Sequence, residues 1–338
     1  MKKYALIDTA NTFFRARHVA SRGSSLEDKL GMSLHLTLAS VQQVFRKYGG
    51  EDVHVVFCLE GRSWRKDFYE PYKRNRSDAR AALSVKDAEE DKAFWETFDE
   101  FCTFLKNKTN TSVLQCSTAE ADDIIARFIH LHPDDEHYII SSDGDYQQLL
   151  NERVKQYNGV AGQLITIDGV FDEKGKAVID KKTNEPKHIG DVKFNLFEKC
   201  MRGDSGDNVF SAYPGVRTKG TKNKVGLTEA WEDREKKGFN WNNLMLQRWT
   251  DHEGVEHRVL DDYERNVHLI DLTAQPDDIK NTVDACIREG VRTTMVPQVG
   301  IHFMKFCGKH DLVKISEQAE TYARWINKPY VGILNGQK

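Results

Sequence analysis

A chain of 338 residues is long enough to bury a sizeable core and predicts two domains, or one domain with an appendage. Charged residues make up 30% and apolar plus aromatic residues 39%, an ordinary globular composition, and no apolar run reaches the roughly 18 residues of a membrane-spanning helix. The net charge of −3 averages over two strongly basic segments, so it does not exclude a polyanion as partner.

Met1-Lys2-Lys3 leads directly into Tyr4 to Asp8, a first strand too short for the core of a signal peptide. Asn11 to about Val19 reads as a helix. Residues 33–48 carry apolar side chains at helical spacing and stop at Gly49-Gly50. Val53 to Leu59 is a second strand, closing on Glu60. Residues 60–86 are polar and basic without a core pattern, as in an inserted segment that contacts a ligand. Residues 87–106 predict a helix, with Phe94, Phe98, Phe101 and Leu105 on one stripe. Strands follow at 113–116, 137–142 and 154–157, with a helix at 119–131. Strands alternating with helices predict a parallel sheet covered on both faces. Short strands near 164–169 and 174–179 suggest a hairpin insertion over 163–189, and from about 192 the chain reads as mostly helical. The expected organisation is an α/β core over 1–191 and a helical part over 192–338. The six cysteines form no C-x-x-C pair, so reduced thiols in a cytoplasmic protein are expected.

Acidic residues recur at the ends of these strands. Asp8, Glu60 and the Asp143-Gly144-Asp145 turn each follow an apolar run, Glu120-Ala121-Asp122-Asp123 opens a helix, and Asp204 and Asp207 flank Ser205-Gly206. In an open parallel sheet the carboxyl ends of the strands face one crevice. Carboxylates crowded there repel one another unless cations fill the space, and Mg²⁺ takes such oxygen ligands. Each residue also has a plainer reading. Asp8 and Asp207 suit a cap or turn, Ser117 to Glu120 fits a capping box, and Asp122 and Asp123 favour a helix dipole. The plain readings suffice singly; their joint occurrence points to a site for two divalent ions.

Basic residues supply the complement. Residues 62–80 hold seven cations against three acids, interleaved with Trp64, Phe68, Tyr69 and Tyr72. Rings can stack on unpaired bases while Arg65, Lys66, Lys73, Arg74 and Arg76 neutralise phosphates. The alternative is a solvated face with Trp64, Phe68 and Tyr72 turned inward. Asn11 and Arg15, four residues apart, share a helix face beside Asp8, where Arg15 is placed to clamp a phosphate. Arg217, Lys219, Lys222 and Lys224 lie in a Gly-rich turn suited to a duplex backbone, or to a solvated loop.

Taken in order, Glu120-Ala121-Asp122-Asp123, Ser142-Asp143-Gly144-Asp145 and Gly203-Asp204-Ser205-Gly206-Asp207-Asn208 resemble the acidic motifs of the flap endonuclease/5′-nuclease superfamily. Tyr72 to Arg76 resembles the base of that family's helical arch, and Asp8 with Asn11 and Arg15 its first motif. The likeness covers roughly residues 4–226 and is greatest to phage 5′→3′ exonucleases of the phage ribonuclease H type. It implies a PIN-like α/β core with a central mostly parallel sheet, an arch near 62–86 and a helical duplex-binding part with its DNA-binding turn near 203–226. By the family pattern Asp8, Glu60, Glu120 and Asp122 would serve a first Mg²⁺, and Asp143, Asp145 and Asp204 a second, with Asp123 and Asp207 close by. Mn²⁺ would substitute. Lys73 and Arg76 would meet the scissile phosphate and Tyr72 would stack on the terminal nucleotide.

The implied activity is hydrolysis of DNA from a 5′ end or flap, and of RNA primers on DNA during replication. The implied setting is a monomer in the cytoplasm (of the host, if phage-encoded), working beside replication proteins such as a single-strand-binding protein, with no membrane. Two departures stand out. Glu60 replaces the usual Asp, and the Gly215 to Gly226 turn is longer and more basic than the family's helix-hairpin-helix, which often binds K⁺. Rival readings are a PIN-type ribonuclease, whose chains are usually shorter and lack the arch, and a non-catalytic junction-binding protein. An aspartyl phosphatase fits less well, because Asp8-Thr9-Ala10 lacks a second Asp two residues on.

Overall fold

The computed structural model describes residues 1–17, 19 and 24–332. In chain order the elements are β1 (Lys3–Asp8), α1 (Thr9–Ala16), α2 (Leu26–Val44), β2 (Val53–Leu59), α3 (Arg65–Phe68), α4 (Arg74–Ala81), α5 (Val85–Lys108), β3 (Ser112–Gln115), α6 (Ala121–Leu131), β4 (Glu136–Ile140), β5 (Val154–Asn158), β6 (Gln163–Thr166) and β7 (Gly169–Asp172). They continue with α7 (Val192–Arg202), α8 (Leu227–Glu232), α9 (Phe239–Met245), β8 (Arg248–Thr250), β9 (Glu256–Arg258), α10 (Val259–Ile270), α11 (Asp277–Gly290), α12 (Val299–Lys309), α13 (Val313–Ser316) and α14 (Ala319–Ile326). The helix expected from Asn11 to about Val19 is realised as α1, and its position 18 lies outside the described residues. Among the described residues no helix is long and apolar enough to cross a membrane. All six cysteines are free.

The chain forms two compact units. The first joins Met1–Ser63, Leu83–Ile189 and Asp277–Lys338; the second joins Trp64–Ala82 and Gly190–Pro276. This differs from a single cut near 191. Residues from Asp277 onward return to the first unit because their apolar faces are needed there. Phe303, Phe306, Trp325 and Ile326 of α12 and α14 share one core with Leu38 and Val41 of α2 and Phe94 and Phe101 of α5. On the opposite face α11 packs on α6 and β3, where Arg127 holds Asp284 in a bidentate pair at 2.8 and 2.7 Å.

The first unit's seven-stranded sheet has the order β3-β2-β1-β4-β5-β6-β7. The pairs from β3 to β5 are parallel, and β6 and β7 add antiparallel. Burial on both faces explains the uninterrupted apolar runs: all seven residues of β2 are buried. The expected hairpin over 163–189 supplies β6 and β7 at the sheet edge. Residues 174–179 add only isolated bridges, Phe171 to Ala177 and Ile179 to Pro186. From β1 the chain steps outward through β2 to β3, then crosses to β4 on the other side of β1. The carboxyl ends of β1 and β4 therefore flank the point where winding reverses, the usual position of a ligand crevice.

In the second unit, α7 supports two clusters. Phe197 and Met201 pack with Leu227, Leu244 and Val259, while Cys200 packs with Tyr72, Val209, Leu269 and Ile270. The expected helical part over 192–338 also contains a short hairpin, β8 with β9, in which Trp249 stacks on His257 at 4.4 Å.

Candidate metal centre and nucleic-acid interface

Asp8 ends β1 and caps α1. It is 5% exposed, and three donors converge on it: Asn11 N on Oδ1 at 3.1 Å, Ser141 Oγ on Oδ2 at 3.2 Å and Tyr146 OH on Oδ2 at 3.1 Å. Thr12 ties the two strand ends together, donating to Asp8 O at 2.8 Å and Ile140 O at 3.2 Å. Burial pushes the Asp8 carboxyl up to about 6. The charge of Asp143 adds to the rise, and the bonds from Asn11, Tyr146 and Ser141 oppose it.

The loop after β4 is pinned from several directions. Asn11 Oδ1 accepts from Ser142 N at 3.0 Å and Ser142 Oγ at 2.9 Å. Gln156 Nε2 donates to Ser141 O at 2.9 Å and Asp143 O at 2.6 Å. Asp143 caps the next turn, its Oδ1 accepting from Asp145 N at 3.0 Å. The following residue, Tyr146, is buried. Its phenol is pushed well up by burial and then by the charges of Asp8, Asp122, Glu60 and Asp143; Asp8 alone is hydrogen-bonded to it among the described residues.

At the start of α6 the capping residue is Glu120, not Ser117. Asp123 Oδ2 accepts from Glu120 N at 3.1 Å, and Ser63 Oγ holds Glu120 Oε2 at 2.7 Å. Glu60 uses its extra methylene to reach the same helix start, where its Oε2 accepts from Ala121 N at 3.1 Å. Gly61 allows this approach, since a Cβ there would sit 1.8 Å from Cys116 O. Ligand oxygens of Glu120, Asp122 and Asp123 lie within 4.8 Å of one another. The donor set is all oxygen and strongly anionic, which fits a hard divalent cation.

The second unit holds the other candidates. Asp204 Oδ1 accepts from Gly206 N at 2.8 Å, and Lys199 Nζ sits 2.7 Å from Oδ2. Burial works against the Asp204 charge, but Lys199 and the loop amides outweigh it and hold the carboxyl below its usual range. Asp207 pairs with Arg76, with Lys73 at 3.7 Å, and accepts from Tyr72 OH at 3.2 Å. Backbone bonds complete this clasp: Lys73 N donates to Asp207 O at 2.8 Å and Asn75 Nδ2 to Ser205 O at 3.2 Å. Gly203, at φ 76°, opens the acidic loop where a Cβ would lie 2.3 Å from Val209 O.

Two expectations need correction. Tyr72 is 2% exposed, with its ring packed against Cys200 and Leu269, so it presents no face for stacking on a nucleotide. Arg65 is fully buried and donates from Nε to Leu269 O at 3.0 Å, so it is a structural residue and not a phosphate contact. The inward reading of the aromatic residues holds for Trp64 and Tyr72 but not for Phe68, which is 48% exposed. Lys66, Arg76 and Arg74 are exposed, Arg74 pairing with Glu70 at 2.9 Å; α4 buries none of its residues. Arg15 is exposed on α1, whereas Asn11 is turned to the Ser142 loop.

Arg217, Lys219, Lys222 and Lys224 are all exposed on a turn closed by Glu229, which accepts from Gly220 N at 3.0 Å and Gly226 N at 2.9 Å. Sequence reasoning missed Ser63, Ser141, Tyr146, Gln156 and Lys199. Tyr146 stands directly after the acidic turn, but no periodicity marks its hydroxyl as buried.

The family model for the 5′-3′ exonuclease N-terminal, resolvase-like domain matches residues 3–181, more than half of the chain. This chain belongs to the 5′-3′ exonuclease family. Among curated members it is 29% identical over 266 residues to the Ribonuclease H of Enterobacteria phage T4, covering 76% of this chain and 78% of that one. It is 26% identical over 233 residues to the 5′-3′ exonuclease of Mycoplasmopsis pulmonis, covering 68% of each. The D15 protein of phage T5, crystallised with metal ions, shares the fold at a TM-score of 0.53 and 18% identity, over 85% of this chain and 99% of that one. As a 5′-3′ exonuclease family member the chain is a nuclease, with its acidic cluster at the switch point of the sheet.

Proposed function

We propose that this 5′-3′ exonuclease hydrolyses DNA, and RNA primers on DNA, from 5′ ends or flaps with Mg²⁺, for which Mn²⁺ substitutes. The observation that carries the reading is the trio Glu120, Asp122 and Asp123, whose ligand oxygens lie within 4.8 Å of one another, with Glu60 held on Ala121 N at the same helix start; the charges of Asp8, Glu60, Asp122 and Asp143 all act on the Tyr146 hydroxyl. Asp8, Glu60, Glu120, Asp122, Asp143 and Asp145 would hold the ions. When bound, a pair of such ions supplies an activated water and neutralises charge on the attacked phosphate.

The remaining work falls to this chain's own side chains. Asn11, Ser141 and Gln156 keep the Asp143 loop in place. Lys73, Arg76 and the exposed cations of α4 attract the strand. Arg217, Lys219, Lys222 and Lys224 neutralise duplex phosphates, a sequence-independent contact weakened by salt. Asp204 and Asp207 would serve an ion only by loosening their pairs with Lys199, Arg76 and Lys73. Digestion of 5′-labelled nicked, flapped and RNA-primed duplexes in Mg²⁺ tests the proposal. Short products released from the 5′ end support it; tight flap binding with no cleavage in Mg²⁺ or Mn²⁺ overturns it.

A further inference from the structure

We propose that Tyr146 is a positioning residue for Asp8, and that its hydroxyl sets how tightly the acidic cluster binds a divalent cation. The inference rests on the reading of Asp8 as a metal ligand. Tyr146 is 1% exposed and donates to Asp8 Oδ2 at 3.1 Å. Ser141 Oγ accepts from Asp143 N at 3.1 Å, so its own proton is directed to the same Asp8 oxygen at 3.2 Å.

An ionised carboxylate offers about four acceptor sites, two on each oxygen. Tyr146 and Ser141 fill both sites on Oδ2, and Asn11 N fills one on Oδ1 at 3.1 Å. Among the described residues no second donor reaches Oδ1, which makes Asp8 a one-oxygen ligand of fixed direction. Removing the Tyr146 donor frees Oδ2 to turn and leaves a buried acceptor short of a partner. Two supports come from segments distant in sequence from Asp8, so they also link the ends of β1 and β4 where the ligand must sit.

Tyr146→Phe keeps the ring and deletes only the hydroxyl. Calorimetric titration of the DNA-free protein with Mn²⁺ is expected to show about tenfold weaker binding, as for other groups that orient metal ligands. The KM for DNA at saturating metal should stay unchanged, a split that mere loss of stability would not give. In an Asp8→Asn background the same change should cost no further metal affinity. Wild-type Mn²⁺ affinity in Tyr146→Phe overturns the inference, and so does a further tenfold loss in the Asp8→Asn background, since Tyr146 would then act elsewhere. Unchanged affinity in Asp8→Asn alone overturns the reading of Asp8 as a ligand.

Discussion

Mild acid should destabilise the metal-free protein through two buried histidines in the first unit. His54, on β2, has both ring nitrogens engaged: Nδ1 with Lys328 O at 3.2 Å and Nε2 with Ser112 Oγ at 2.9 Å. Ser112 Oγ already accepts from Arg292 N at 2.9 Å, so its proton points to Nε2, and a proton on that nitrogen meets another donor. His137, on β4, uses Nε2 on His132 O at 2.9 Å, while its buried Nδ1 has no partner among the described residues to receive an added proton. Burial is the main cause that pulls His54 down to about 3 and His137 to about 4.

Both folded-state values lie below the ordinary 6.5. The unfolded chain therefore takes up protons first, and stability is lost as pH falls from about 6.5 towards about 3 and 4. Each histidine contributes a slope of about 1.4 kcal/mol per pH unit, so two of them cost about 4 kcal/mol near pH 5. Asp8 acts in the opposite sense. Its pKa is raised from 3.8 to about 6, so the stability it contributes is present at acid pH and lost as pH rises through about 6. Over the same interval it returns about 1 kcal/mol, so these three groups together cost about 3 kcal/mol, and buried His132, also lowered by burial, acts in the same sense as the histidines. Urea unfolding in EDTA at about pH 7 and about pH 5 measures this, and a double His54→Gln, His137→Gln variant should flatten the slope. A slope unchanged in that variant would refute the reasoning.

Replacing Lys219, Lys222 and Lys224 together by Ala should raise the KM for duplex DNA. It should also reduce the magnitude of the salt slope by about 0.9 for each phosphate no longer neutralised, read from binding isotherms at several salt concentrations. Gly61→Ala forces a Cβ to within 1.8 Å of Cys116 O, so the Glu60 turn must shift. Weaker Mn²⁺ binding by calorimetry is the expected sign, and affinity equal to wild type would show that the turn adapts. Trp325→Ala should cost about 3–5 kcal/mol of stability in urea unfolding, as expected for emptying a fully buried aromatic site.

The central sheet was legible in the sequence because parallel strands buried on both faces leave uninterrupted apolar runs, as in Val53–Leu59. The helix α5 announced itself by the stripe of Phe94, Phe98, Phe101 and Leu105. The convergence of acidic strand ends has a related reason: in this topology the carboxyl ends face one crevice, so the charges of Asp8, Glu60 and Asp143 act on one hydroxyl, that of Tyr146, although they lie far apart in the chain. What local pattern could not carry was the direction of each side chain in the basic segment. Arg65 and Tyr72 lie among cations, yet the second unit needs their hydrophobic bulk, and backbone acceptors and Asp207 satisfy their polar ends. Likewise the return of α11 to α14 to the first unit depends on packing against α2, α5 and α6, far earlier in the chain, which periodicity alone does not encode. Ser117 matched a capping box by spacing, but Glu120 and Asp123 form the box instead, because α6 begins at Ala121 and Ser117 lies three residues before its cap.

The most direct test of the account is Asp143→Ala, assayed on a labelled 5′-flap duplex in Mg²⁺ with circular dichroism as a control for folding. The charge of Asp143 bears on the Tyr146 hydroxyl together with those of Asp8, Asp122 and Glu60, and its Oδ1 caps the short turn that follows by accepting from Asp145 N at 3.0 Å, so the spectrum is read alongside the activity. Loss of Mg²⁺-dependent cleavage with an unchanged spectrum is the expected result. Undiminished cleavage by the folded variant would contradict the account.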